Sequence, residues 1–198
     1  MATPGLVAAI NSILTQLSDI PLDWSQVPGA EKSRPDKLFQ LVRMWDNQIQ
    51  REQDGGAEEG AQGYLFEKPA CFLELQMAPR EQMAENVTWG DITCRMHIAG
   101  YQLDAGDDVG MDQNLQVFSF RDLVIQYMTA FTPENCSTLF NVAERQDYDH
   151  TGYYHYIVDM QCGFTDIVGS TLYPQQVRVA YKEPPTDLEL NSEFAEPE

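Results

Sequence analysis

The stretch from Asn114 to Phe131 constrains the fold more than any other part of the chain. Its apolar residues recur at intervals of three and four, which is typical of a helix with one buried face. That face comprises Val117, Phe120, Val124, Tyr127, Met128 and Phe131, and the apolar arc is widened by Phe118, Leu123 and Ile125. An arc this wide predicts contact with more than one apolar surface, so we expect this helix to be central to the domain.

The two ends of this helix carry different signals. Thr132-Pro133 predicts its end, because proline cannot continue the helical hydrogen-bond ladder. Ser119 and Asp122 form an S-x-x-D capping signal, so the regular helix is expected to begin either at Asn114 or near Ser119.

The other elements follow from the same periodicity argument. A first helix is predicted to start at Thr3-Pro4 and end near Ser18, with an apolar face of Leu6, Val7, Ile10, Ile13, Leu14 and Leu17. Runs of strand length or strand alternation predict five strands at 38–45, 69–77, 89–101, 139–148 and 153–164, the last two joined as a hairpin. The first run also fits a short helix, through Leu38, Leu41, Val42 and Trp45. In the third of these, Ile92, Cys94, Met96 and Ile98 face the core, and Thr93, Arg95, His97 and Ala99 form a wetter face.

These elements predict an α+β fold. We expect a mostly antiparallel sheet of about five strands with two helices on one face, in the order α-β-β-β-α-β-β. Residues 1–169 form one domain in this interpretation, with a polar loop at 78–86. The Gly- and Glu-rich segment 51–63 is expected to be a mobile loop, and residues 170–198 an extended or disordered acidic C-terminal arm.

The charge of the chain excludes some classes of partner. Its 198 residues include 31 acidic and 12 basic ones, a formal charge of −19. A DNA-binding groove or an anionic membrane surface needs clustered Lys and Arg, so neither is expected. We also predict neither a membrane span nor a signal peptide, because no long apolar run or charged-then-apolar leader is present.

Two groups of residues are candidates for metal binding or catalysis. Asp104, Asp107, Asp108 and Asp112 surround two glycines and could bind calcium, but the spacing departs from a known calcium loop, and a solvated loop with a helix-capping Asp is the favoured interpretation. Asp149, His150 and His155, with Cys162 on the same strand, suggest a nucleophile and a base. His155 and Cys162 should point to opposite faces of their strand, so His150 is interpreted as a turn histidine and His155 as a surface histidine.

The remaining signals favour a chain without catalytic residues. Cys71, Cys94, Cys136 and Cys162 share no metal-binding or redox spacing and are expected to be packing residues of a protein that folds in a reducing compartment. The common hydrolase, zinc and nucleotide motifs do not occur. We therefore predict no catalytic residue, cofactor or metal.

Large aromatic residues at loop and strand ends are candidates for partner contacts or local anchors. They are Trp24, Trp45, Trp89, Tyr64 and Phe66. Together with the acidic loop, they predict a possible assembly interface of Trp45, Tyr64, Phe66, Trp89, Asp104, Asp107 and Asp108.

Three short segments give the chain a resemblance to a known family. They are Trp45-Asp46-Asn47-Gln48, Phe66-Glu67-Lys68-Pro69-Ala70-Cys71-Phe72-Leu73-Glu74 and Phe120-Arg121-Asp122-Leu123, within an order of elements that runs from Leu38 to Asp166. In these features the chain resembles the tail-terminator, or tail-completion, proteins of long-tailed bacteriophages and prophages.

The resemblance implies a non-enzymatic virion protein. Such a protein is a ring subunit, usually of a hexamer, that terminates the viral tail tube and joins it to the head and neck. Its partners are further copies, the tail tube protein and head-tail connector proteins, with DNA only passing through the channel. It would be assembled in the host bacterial cytoplasm and reside in the virion. Three alternatives stay open: another neck or connector protein, an acidic binding module such as a DNA mimic, and an enzyme of unrecognised type.

Overall fold

The described part of the chain forms a mixed α+β domain. The computed structural model describes residues 5–23, 36–55, 65–84, 87–101, 108–147 and 153–166. Within these ranges it contains three helices and one open sheet of six strands. The predicted α+β class with a mostly antiparallel sheet is therefore confirmed.

The elements are, in chain order, α1 (Gly5–Ser18), β1 (Leu41–Met44), α2 (Gln48–Gly55), β2 (Ala70–Met77), β3 (Glu81–Ala84), β4 (Val87–Tyr101), α3 (Asp108–Met128), β5 (Phe140–Asp147) and β6 (Tyr153–Asp166). The strands lie in the spatial order β1-β2-β4-β6-β5, and β3 pairs with β4 beside this path. β1 and β2 run parallel, and the other pairs are antiparallel. The long strands β4 and β6 pair from Thr88 and Asp166 to Tyr101 and Tyr153, and they form the middle of the sheet.

One face of the sheet is covered by α1 and α3, which pack on a single apolar core. Because side chains alternate along a strand, every second residue of β2, β4 and β6 reaches this face. The buried strand residues are Cys71, Leu73, Ile92, Cys94, Met96, Ile98, Val158, Met160, Cys162 and Phe164. Each large apolar side chain buried here contributes about 1.5–3 kcal/mol by the transfer of its surface from water.

Helix α3 confirms the central helix but not its predicted bounds. Phe120, Val124 and Met128 are buried on its core face, as the periodicity predicted. The helix begins at Asp108, so its first turns occupy part of the segment expected to be an acidic loop. It ends at Met128 rather than at Phe131, because Ala130 adopts a left-handed φ of 66° that closes the helix.

The residues of α1 that contact the core are smaller than the sequence suggested. Ala8 and Ala9 are buried together with Ile13 and Leu17, whereas Val7 is 44% exposed. The prediction that Val7 faces the core is therefore wrong. Alanines let a helix approach its neighbour closely, and hydropathy alone ranks them below valine.

Helix α2 occupies the start of the segment predicted to be a mobile loop at 51–63. The side-chain oxygen of Gln48 accepts a hydrogen bond of 2.7 Å from the backbone N–H of Asp46, and Asn47 has a left-handed φ of 53°. Ile49 is fully buried, and Glu52 is buried beside Lys68. These contacts with distant residues fix the helix, and the composition of the segment did not reveal them.

A second difference lies in the predicted polar loop 78–86, where β3 pairs with β4 opposite Trp89. Residues 56–63 of the predicted mobile loop and the acidic arm 170–198 lie outside the described residues. The hairpin strands β5 and β6 are paired as predicted, and their turn likewise lies outside the description.

Candidate functional site

The face of the sheet opposite α1 and α3 carries a row of polar side chains, of which the two histidines are buried and the two carboxylates are half-buried. Glu74 on β2, His97 on β4, His155 on β6 and Asp147 on β5 lie side by side across four neighbouring strands, and we call them the histidine row. The same alternation that sends Cys94 and Met96 to the helices sends His97 to this face. His97 is only 5% exposed and His155 only 2%. The expectations of a wetter face around His97 and of a surface His155 are therefore wrong.

The members of the histidine row are in contact from one end to the other. Oε2 of Glu74 lies 3.1 Å from Nε2 of His97, whose Nδ1 lies 2.9 Å from Nε2 of His155. Nδ1 of His155 is in turn 3.1 Å from Oδ2 of Asp147. Two hydrogen bonds and one close carboxylate–imidazole approach thus link the row, because the contact of His155 with Asp147 has an ion-pair distance without hydrogen-bond geometry.

Trp45 covers the middle of the row. It directly follows β1, and its backbone N–H donates a 2.8 Å hydrogen bond to the carbonyl of Leu73. Its ring lies parallel to that of His97, with the two ring centroids 4.0 Å apart and an angle of 2° between the planes. The centroid of His155 is 6.0 Å away. Aromatic stacking of this kind shields the imidazoles from water and holds their orientation.

An ion pair lies beside the histidine row. Arg95 on β4 donates two hydrogen bonds, of 2.8 and 3.0 Å, to the two oxygens of Asp159 on β6. Its guanidinium also lies 3.5 Å from Glu74. Among the described residues, three carboxylates and one guanidinium therefore lie around the two histidines, and this negative charge favours a proton on the imidazoles.

Burial and these neighbours shift the titration of the row in opposite directions. Burial lowers the pKa of His97 below its usual value, although Glu74 works in the other direction. For Glu74, burial opposes ionisation, but hydrogen bonds from Gln76 and His97 and the charge of Arg95 outweigh it and hold its pKa below the usual value. At neutral pH Glu74 is thus a carboxylate and accepts a hydrogen bond from Nε2–H of His97.

Glu74→Gln should destabilise the fold at pH 7 by about 1–2 kcal/mol, because it removes the charged acceptor of His97 and Arg95. A carboxylate with a lowered pKa stabilises the folded state above its unfolded pKa of about 4.3, and this contribution is lost as the pH falls through the folded pKa. The difference between the variant and the wild type should therefore shrink below about pH 4. Urea unfolding followed across this range measures it, and a difference that is constant with pH would contradict the assignment.

A separate buried ion pair lies on the same face beneath α2. Nζ of Lys68 is 2.7 and 2.9 Å from the two carboxylate oxygens of Glu52, and it stands 4.3 Å from the centroid of the Phe66 ring. The two side chains are only 4% and 5% exposed. This pair fastens α2 to the segment that leads into β2.

The predicted interface residues have different environments in the structure. Phe66 is buried against Phe72 with a ring distance of 5.0 Å, and Trp45 is half-buried over His97, so both serve internal packing. Trp89 is 39% exposed and covers Gly163. Asp108 begins α3. The remaining members, Tyr64, Asp104 and Asp107, lie outside the described residues, as does Trp24.

The cysteines are free thiols in this fold. Cys71, Cys94 and Cys162 are buried and Cys136 is half-buried. Burial raises the pKa of Cys71 beyond the range in which a thiolate forms. Hydrogen bonding to Cys162 likewise raises the pKa of Cys94 and that of Cys136. Hydrogen bonds from Cys136 and Cys94 lower the pKa of Cys162 instead. The burial of Cys71, Cys94 and Cys162, rather than their titration, agrees with the predicted packing role.

The geometry limits what chemistry the histidine row can perform. His155 and Cys162 lie on opposite faces of β6, as the sequence predicted, so they do not form a nucleophile and base pair. Carboxylate–imidazole contacts are the arrangement of a general base, but Trp45 lies where a substrate would have to approach His97. Among the described residues, no group of three or more His, Cys, Asp or Glu side chains is placed to bind a metal ion. Holding a proton between the two imidazoles is the chemistry that this arrangement supports.

Sequence reasoning missed the row for a specific reason. Alternation along β4 places His97 on the face opposite Cys94 and Met96. Alternation along β6 likewise places His155 on the face opposite Cys162, which is the same side of the sheet as His97. The pairing of β4 with β6, which brings the two rings together, could not be read from the sequence.

In the part of the chain that is described, no helix is long and apolar enough to cross a membrane. A scan of the chain against protein-family models found no match, and a search of curated proteins likewise found no relative.

Proposed function

We propose that this protein is a non-enzymatic structural subunit that assembles into a closed ring, and that the ring terminates a bacteriophage tail tube and joins it to the head and neck. The observation that carries the proposal is the exposed edge strand β5. Six of its eight residues are exposed, from Phe140 to Arg145. Phe140 is 51% and Val142 is 44% exposed, so the edge presents apolar surface together with backbone groups that no other described strand pairs.

An open sheet offers the two different surfaces that a ring requires. In a ring each subunit uses one surface to contact the neighbour before it and another to contact the neighbour after it. Within the described residues the sheet ends at β5 on one side and at β1 on the other. The outer residues of β1, Arg43 and Met44, are exposed. The two edges differ in length, in direction relative to their partner strands and in charge, which suits a head-to-tail contact rather than a two-fold one.

The charge supports the same assignment. A net charge of −19 on each subunit would repel a DNA duplex passing through the ring and keep it from binding the channel wall. Most residues of the segments that carry the family resemblance are buried or half-buried in this fold. Phe120 is buried in the core, for example, and Arg121 pairs with Glu144 on β5. The acidic arm at 170–198 is proposed to become ordered on assembly, when a partner offsets its loss of conformational entropy.

The experiment measures mass by light scattering, with and without tail tube protein. The wild type should form a species whose mass is a small multiple of 22.5 kDa and should bind tube ends in electron micrographs. Phe140→Asp combined with Val142→Asp should stay monomeric, because charges at the apolar edge oppose pairing. The matched control is Val7→Asp on α1, a valine that is 44% exposed like Val142 and should leave assembly unchanged. A wild type that stays monomeric at high concentration and never binds tube ends would overturn the proposal.

A second candidate, an acidic binding module, is favoured by the charge alone. Such a protein would remain a monomer and bind a basic partner at low salt, with affinity that falls as salt rises. The same mass measurement separates the two functions.

A further inference from the structure

The histidine row contains more contacts than two neutral imidazoles can satisfy. It has three polar contacts: the hydrogen bonds of Glu74 with His97 and of His97 with His155, and the 3.1 Å approach of Nδ1 of His155 to the carboxylate of Asp147, which lacks hydrogen-bond geometry and is an ion-pair contact. With both carboxylates ionised, each contact needs one ring proton. Two neutral imidazoles carry two protons between them, so one contact would bring two electron pairs together.

The state in which both imidazoles are protonated to imidazolium is also disfavoured. Two imidazolium rings would carry four protons, and two N–H groups would then face each other across the 2.9 Å between Nδ1 of His97 and Nε2 of His155. The row is complete only with three ring protons, which means one positive charge on the pair. Interacting groups of this kind take up protons in separate steps that belong to the pair.

The charges on the surrounding elements agree with one added proton. β2 contributes Glu74, β4 contributes Arg95, β6 contributes Asp159, and β5 contributes Asp147 together with the exposed Arg145. On α2, Glu52 is neutralised by Lys68. Among the described residues, the carboxylates of Glu74, Asp147 and Asp159 and the guanidinium of Arg95 stand at or beside the row, so an imidazolium offsets part of their negative charge.

Geometry and burial also indicate which ring holds the charge. Burial lowers the pKa of His97, so His97 is the neutral partner. Its Nε2–H then donates to Glu74, and its Nδ1 accepts from Nε2–H of His155. His155 is left with both nitrogens protonated and donates through Nδ1–H towards Asp147.

We propose that the histidine row holds a single shared proton at neutral pH, and that this proton fastens the end of β5 to the middle of the sheet. Asp147 is the last residue of β5, and in the row it joins that strand to β6, β4 and β2. Loss of the proton would remove the charged contact at Asp147 and loosen the end of the edge strand. The consequence for assembly rests on the proposed function, in which β5 is a ring contact; the shared proton does not.

The first test observes the protons directly. Nitrogen NMR of the imidazole rings is recorded at pH 7.5 in a His150→Gln background, which leaves only His97 and His155. At this pH an ordinary histidine is protonated in only about one molecule in ten. We expect one fully protonated ring, His155, and one neutral ring with its proton on Nε2, His97. Two neutral rings would overturn the proposal.

The second test asks whether the proton holds β5. In Asp147→Asn, amide hydrogen exchange at residues 144–147 should accelerate roughly tenfold or more, because the attraction between the imidazolium of His155 and the carboxylate 3.1 Å away is lost. Amides of β4 should be unchanged. The control, Asp36→Asn, replaces an exposed carboxylate before β1 and should alter neither strand. Equal exchange in Asp147→Asn and wild type would overturn the role of the proton in fastening β5.

Self-association is measured separately for Asp147→Asn and Asp36→Asn. Weaker association of Asp147→Asn than of Asp36→Asn supports the regulatory consequence, and equal association overturns it while leaving the proposed ring intact. If none of the proteins associates, the proposed function fails, and the shared proton is still decided by the NMR and exchange measurements.

Discussion

Lys68→Met lowers the free energy of unfolding by about 3–5 kcal/mol, one of the two largest single-site effects we expect in this chain. The variant leaves the carboxylate of Glu52 buried at 5% side-chain exposure without the ammonium that lies 2.7 Å from it. An unpaired charge in such a site must either keep its desolvation cost or take up a proton. Urea unfolding at pH 7 measures the loss.

Two further variants separate burial from pairing. Lys37→Met removes an ion pair of similar length, 2.9 Å to Asp19, whose side chains are 51% and 62% exposed. Its cost should stay below about 1 kcal/mol, because water solvates the partner left behind. Glu52→Leu combined with Lys68→Met should recover most of the loss, since no buried charge remains. A double variant as unstable as Lys68→Met would mean that the pair positions α2 in a way that packing cannot replace.

The ion pair also shows where reasoning from sequence reaches its limit in this fold. The helical periods of α1 and α3 and the alternation in β4 and β6 are local patterns. They predicted α1, β4 and β6 to within two residues, whereas α3 begins at Asp108, six residues before Asn114. α2 has no such pattern. Its position depends on Ile49 and Glu52 finding partners on a segment that lies beyond residues 56–64.

The histidine row also depends on contacts between residues that are distant in the sequence. His97 and His155 are 58 positions apart, and what brings their rings to 2.9 Å is the pairing register of β4 with β6. A one-residue shift of that register would send one histidine to the helix-covered face. The sequence therefore predicted which residues alternate along each strand, whereas the contacts between strands that create the row required the structure.

Phe72→Ala is the second variant with a large expected effect, about 3–5 kcal/mol of lost stability. Phe72 is fully buried on the second face, where it packs edge-on against Phe66 at 5.0 Å and lies 6.0 Å from Trp45. Removal of the ring leaves a cavity beneath both aromatic residues, and the neighbouring strands cannot close it without breaking backbone pairing with β4. Urea unfolding measures the loss, and Phe140→Ala is the control, because the same substitution at a residue that is 51% exposed should change stability by no more than about 0.5 kcal/mol.

The same variant tests whether Trp45 depends on this support to remain over the histidine row. Trp45 stacks on His97 from one side and is backed by Phe72, so the cavity should let its indole leave the parallel arrangement. Trp45 fluorescence, recorded with Trp24 and Trp89 replaced by Phe, should then respond less to protonation of the histidines than it does with Phe72 present. An unchanged response would show that the stacking on His97 holds Trp45 without Phe72. A loss of stability accompanied by a loss of this response would show that the apolar cluster under α2 and the polar row behave as one unit, in which packing keeps water away from the proton.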